Sequence, residues 1–80
     1  MIEQHITRVL TKHFFLPAPL IRPDKRLRAD LGLTSLDVLD LIVQLEQGFR
    51  ITLPDAELDR IQTVGQLTRT LERHLAVPSY

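Results

Sequence analysis

Residues 35–49 read SLDVLDLIVQLEQGF. Within them Val38, Leu41, Ile42, Leu45 and Phe49 recur at steps of three, one, three and four. That spacing lays one apolar stripe along an α-helix and predicts a core-facing helix over 35–49. Such a helix is a rod of about 22 Å. Thr34 and Asp37 stand three apart at its start, the form of a capping box with Asp as a shorter substitute for Glu or Gln. Gly48, followed by Arg50, fits a helix that terminates there. A second apolar stripe, Leu36, Leu39 and Val43, is rotated away from the first and sits beside Asp37 and Asp40. A bundle helix does not need so wide an apolar arc, and the neighbouring acids oppose full burial. The second stripe is therefore a candidate surface for a partner or a ligand.

Outward from this helix, Ile2, Ile6, Val9, Leu10 and Phe14 predict a first helix over about 2–15, stopped by Pro17 and Pro19. Residues 16–33 hold three of the five prolines and no sustained period, which makes a long connection. Leu27, Leu31 and Leu33 are expected to pin it to the core, and Gly32 to supply a backbone bend before the second helix. Beyond the second helix, Thr52-Leu53-Pro54-Asp55 reads as a turn. Asp55 is expected to cap a short helix through Arg60, with Leu58 and Ile61 inward. Thr63 and Gln66 form a second capping box, which opens a last helix over 64–75 carrying Val64, Leu67, Leu71 and Leu75. Residues 76–80 are expected to fray. No strand alternation competes. The expected fold is all-α: one domain over 1–80, four helices with a long first loop and a short third helix around one core.

Eighty residues without cysteine exclude a disulfide scaffold, a thiol nucleophile and a thiolate metal site. His5, His13 and His74 have no chelating spacing with an acid, and no nucleophile–base–acid set is visible, so neither a metal site nor intrinsic catalysis is expected. No run approaches the length of a membrane span, and no signal peptide is visible. A cytoplasmic, free-standing monomer is the expectation, with no membrane among its partners. Ten basic and ten acidic residues balance, and aromatics are only 5%, which argues against nucleic acid. The balance is uneven along the chain: residues 1–28 carry net +4, residues 29–59 net −6, and residues 60–80 net +2. An acidic middle between basic flanks suits charge-guided partners.

Ser35 stands at the start of the second helix, where free N–H groups and the positive dipole end suit a phosphate. A serine at such a position is also a common simple cap. The surrounding residues weigh between these readings. Asp30-Leu31-Gly32-Leu33-Thr34-Ser35-Leu36-Asp37 resembles the acyl carrier protein signature D-L-G-x-D-S-L-D. Leu45-Glu46, Phe49, Ile51-Thr52-Leu53-Pro54-Asp55 and Ile61-Gln62-Thr63-Val64 continue the resemblance without a gap, so it spans residues 30–64.

The resemblance implies a four-helix bundle of acyl-carrier type and a carrier, not an enzyme. It implies that Ser35 takes a 4′-phosphopantetheine arm from coenzyme A through a phosphopantetheinyl transferase. The arm's thiol would hold acyl intermediates as thioesters in fatty-acid, polyketide or specialised lipid biosynthesis. It further implies that helix two meets basic patches on the transferase, the acyl-loading enzyme and synthase partners. Asp37, Asp40 and Glu46 would be its acidic contacts, and Leu36, Leu39 and Val43 its apolar ones. Leu53, Leu58 and Ile61 match the lining of the family's acyl pocket; with Leu58 where many members have a smaller residue, that pocket would be shallow or would need to open. Thr34 stands where the family has aspartate, Gln47 and Gly48 where acids are common, and Arg22, Lys25, Arg26 and Arg28 make the first loop unusually basic. That loop reads as a solvated face, with room for a phosphate or an acidic partner to dock. These departures point to a specialised carrier. An aminoacyl or peptidyl carrier, or an unmodified carrier-like binding subunit, are the alternatives.

Overall fold

A computed structural model describes residues 2–75; the tail expected to fray lies outside the described residues. Among the described residues four helices follow in order: α1 over Ile2–His13, α2 over Ser35–Phe49, α3 over Asp55–Leu58 and α4 over Val64–Leu75. A 3-10 turn, Ala18–Leu20, interrupts the first loop. α1 packs against both α2 and α4.

The apolar stripes meet as their spacing requires. Ile6 and Leu10 of α1, Leu41 and Leu45 of α2, and Leu67 and Leu71 of α4 are completely buried. Truncating any of these leucines to alanine should cost about 2–5 kcal/mol, since a close-packed interior cannot collapse around the void. The long loop joins the core through Leu27, Leu31 and Leu33, all buried as expected. Backbone bonds stitch it to the α3–α4 connection: Leu27 N donates to Gln62 O at 2.8 Å, and Val64 N to Lys25 O at 3.0 Å. These flank an isolated antiparallel bridge between Arg26 and Thr63. Asp30 closes the turn inside the loop, its Oδ2 accepting from Arg26 N at 2.7 Å. Gly32 takes a left-handed φ of 74°, which suits its expected bend.

Three local expectations are corrected. α1 ends at His13, not near 15, because Phe15 takes a left-handed φ of 57° and Leu16 N turns back to Leu10 O at 3.2 Å. α3 ends at Leu58, not Arg60, and Asp55 is its first residue rather than its cap; the cap position is Pro54, which has no side-chain acceptor to offer. α2 ends at Phe49 as expected, but Gly48 is not the residue that turns the chain. The left-handed residue there is Arg50, φ 58°, and Ile51 N closes the end on Glu46 O at 3.0 Å, the six-to-one bond of a Schellman ending. Gly48 is small for another reason: a Cβ on it would lie 2.7 Å from His5 Nε2, where α1 crosses α2. Both capping boxes form. At α4, Gln66 N donates to Thr63 Oγ1 at 3.1 Å and Thr63 N to Gln66 Oε1 at 3.0 Å.

Candidate functional site

Ser35 is the first residue of α2, exposed, with Thr34 as the cap before it. Thr34 Oγ1 accepts from Asp37 N at 3.0 Å, so the cap leaves the Ser35 hydroxyl outside its own bonding. Val38 N is the first amide to find a backbone acceptor, Thr34 O at 3.0 Å. The Ser35 and Leu36 amides make no hydrogen bond among the described residues. They are the free donors that a helix start presents to an anion.

Ser35 also lines an open cleft of about 760 Å³ between α2 and the α3 region. Its apolar wall is Leu33, Val38, Leu39, Ile42, Leu58 and Ile61; Arg26, Arg28, Asp59 and Gln62 bring the polar rim. Of the three residues read as pocket lining, Leu58 and Ile61 line this cleft. Leu53 does not: it is buried in the core, 3% exposed, and its backbone N–H meets Glu46. The wall that α2 contributes, Val38, Leu39 and Ile42, was not legible as lining, because these residues also belong to the helix's two apolar stripes.

The second stripe is open to solvent. Leu36 is 76% exposed, Leu39 53% and Val43 45%. Asp40 beside it makes only a 3.4 Å contact with Gln44 Nε2. Asp37 is half-buried and shares its carboxylate with the cap, its Oδ2 accepting from Thr34 N at 3.0 Å. Glu46 stands apart from the other two acids. Its Oε2 accepts from Leu53 N at 2.7 Å, so it clasps the segment after α2 rather than standing free on the helix surface.

On α3, Glu57 ties the short helix to the end of α4. Its Oε2 lies 2.7 Å from His74 Nε2 and its Oε1 3.1 Å from Arg73 Nη2. An ionised carboxylate only accepts, so His74 Nε2 is the protonated nitrogen in this contact. The His74 hydrogen bond, followed by that of Arg73, holds the Glu57 carboxyl below its ordinary value despite opposing desolvation. The Asp30 carboxyl is also lowered, chiefly by the Arg26 backbone N–H and then by the Arg26 side chain. Among the described residues there is no cluster of His, Asp and Glu able to hold a metal ion, and no helix is long and apolar enough to cross a membrane.

Comparison with known proteins falls on this geometry. A family described as the phosphopantetheine attachment site matches residues 6–71. An acyl carrier protein of Amoebophilus asiaticus is 32% identical over 75 residues, covering 94% of each chain. Among solved structures, a Mycobacterium tuberculosis chain provisionally described as an acyl carrier protein superposes with a TM-score of 0.86 at 25% identity, over 94% of this chain and all of that one. The acyl carrier protein of Enterococcus faecalis shares the fold, with a TM-score of 0.72 at 24% identity over 85% of this chain and 86% of its own. A helical bundle that matches a phosphopantetheine attachment site over most of its length is a carrier domain. This chain belongs to the acyl carrier protein family. Members of that family are carriers rather than catalysts, and they bear a covalently attached 4′-phosphopantetheine.

Proposed function

We propose that Ser35 is the attachment residue and that the chain carries acyl intermediates for a dedicated biosynthetic pathway in the cytoplasm. The observation that carries this is the position of Ser35, exposed at the start of α2 and on the edge of an apolar cleft. The residues fit the group. Ser35 Oγ is the atom that would be esterified, the Ser35 and Leu36 amides are free donors, and Arg28 on the rim adds a cation toward a phosphodiester. When attached, the arm supplies the thiol that this cysteine-free chain lacks, and with it a thioester.

The chain's own residues do the rest. Leu58, Ile61, Val38 and Ile42 offer apolar cover that would shield a short acyl chain from water. Leu36, Leu39 and Val43 offer exposed apolar contact, and Asp37 and Asp40 orient basic partners: the transferase, the loading enzyme and the synthase. Contacts of this kind raise encounter rate more than lasting affinity, which suits a shuttle. Incubation with coenzyme A and a broad-range phosphopantetheinyl transferase should add one arm to the wild type and none to a folded Ser35→Ala variant. Failure of the wild type with several transferases, or modification of Ser35→Ala, would overturn the reading.

A further inference from the structure

Residues 15–20 read FLPAPL and form an unusual surface. Phe15 is 86% exposed, Leu20 47%, and Pro17, Ala18 and Pro19 are exposed with them. None of the six side chains carries a hydrogen-bonding group. The left-handed backbone at Phe15 turns the chain off α1, and its ring remains in solvent. Loops that expose contiguous apolar surface without polar relief mark a docking site.

Part of this loop's backbone is bonded within the chain. Leu16 N donates to Leu10 O, Leu20 N to Pro17 O and Ile21 N to Ala18 O. Pro17 and Pro19 have no N–H to satisfy. Among the described residues the Phe15 and Ala18 amides and the Phe15, Leu16 and Pro19 carbonyls have no backbone partner. A shallow position at a lipid interface, where water and headgroups still reach these groups, keeps them solvated while the apolar side chains enter. Cations bracket it: Lys12 and His13 precede it, Arg22 and Lys25 follow, and Asp24 is the one acid within 12–25. Arg22 approaches Asp24 at 3.7 Å, an exposed pair that screens little.

We infer that the FLPAPL loop docks the carrier on an anionic lipid surface, Phe15 and Leu20 entering the interface while Lys12, Arg22 and Lys25 meet the headgroups. A protein pocket would be expected to find polar anchors for orientation. None of the loop's side chains offers one, whereas a lipid interface asks only for apolar insertion and flanking positive charge. The sequence-based expectation of no membrane partner rested on the lack of a spanning run, which has no bearing on surface docking. The loop shares no residue with the Ser35 cleft or with the exposed stripe of α2.

The test is co-sedimentation of the full chain, with no acyl group loaded, with vesicles of equal parts phosphatidylglycerol and phosphatidylethanolamine, and with phosphatidylcholine vesicles. Because no cargo is present, the outcome is independent of whether Ser35 takes an arm. Binding should be found on the anionic vesicles only and be weakened by salt. Phe15→Asn with Leu20→Ser should lower it about tenfold, and Lys12→Glu with Arg22→Glu should lower it comparably. Asparagine tolerates the left-handed backbone, and circular dichroism would verify the fold of both variants. No binding to anionic vesicles, equal binding to both lipids, or unchanged binding by the apolar variant would overturn the proposal. The first of these results would leave the loop to a protein partner.

Discussion

Thr34 and Asp37 close a reciprocal pair at the start of α2: Thr34 Oγ1 accepts from Asp37 N, and Asp37 Oδ2 accepts from Thr34 N, each at 3.0 Å. Threonine therefore supplies the capping oxygen that the family's aspartate would supply, without its charge. Thr34→Ala should destabilise the chain by about 1 kcal/mol, read as a lowered midpoint in urea. Thr34→Asp should hold stability and change only the rate of arm transfer. Equal stability of the alanine variant would deny the cap its role.

His5 and Gly48 define how closely α1 approaches α2. The His5 ring lies 4.8 Å from that of Phe49, tilted at 58°, and its Nε2 fills the place of a Gly48 Cβ. The tip of the His5 ring must shift to admit a Gly48 Cβ, and as the far end of a side chain beside an open depression it can do so, so Gly48→Ala should gain less than the roughly 1 kcal/mol that alanine's helix propensity offers. The gain should be larger in the His5→Ala background, and a thermal-melt double-mutant cycle would measure the coupling.

Much of the fold was legible in residues 27–75, where apolar spacing, two capping boxes and the leucines at 27, 31 and 33 all agree. The exposed stripe at Leu36, Leu39 and Val43 was legible because it exceeds what a bundle helix needs. What the spacing could not carry were contacts between residues of no fixed period. Glu46 reads as a surface acid of α2, yet it bonds Leu53 N seven residues on, and Leu53 itself is buried in the core rather than on the cleft wall. Gly48 reads as a terminator, but its neighbour is His5 on another helix. The left-handed turns at Phe15 and Arg50 have no sequence signal, since neither residue favours that region.

Arg50 offers a route to greater stability. It occupies the left-handed C-terminal position where glycine is unstrained. Arg50→Gly should raise the unfolding free energy by about 0.5–1 kcal/mol, seen as a higher melting temperature. A lower melting temperature would mean that the arginine side chain makes a contact outweighing its backbone strain.

The Glu57 clasp makes a directional pH prediction. Its folded-state carboxyl sits below the ordinary 4.5, held there first by the His74 hydrogen bond and then by Arg73. A depressed carboxylate contributes stability above its unfolded value and loses it as pH falls through the folded one. Amide exchange at Leu58 and Asp59 should therefore quicken, relative to that of α2, on acidification below about pH 4.5. In Glu57→Gln this extra sensitivity should vanish, leaving α3 loosened at all pH values. An unchanged acid response in the variant would assign the effect to other carboxylates.

The central claim is that Ser35 bears the arm. Intact-mass measurement of the chain purified from its native host, followed by peptide fragmentation, tests it most directly. The account predicts one 4′-phosphopantetheine, bare or acylated, on the peptide that contains Ser35 and on no other. A chain recovered without any arm from cells with an active transferase, or an arm on a different residue, would contradict it.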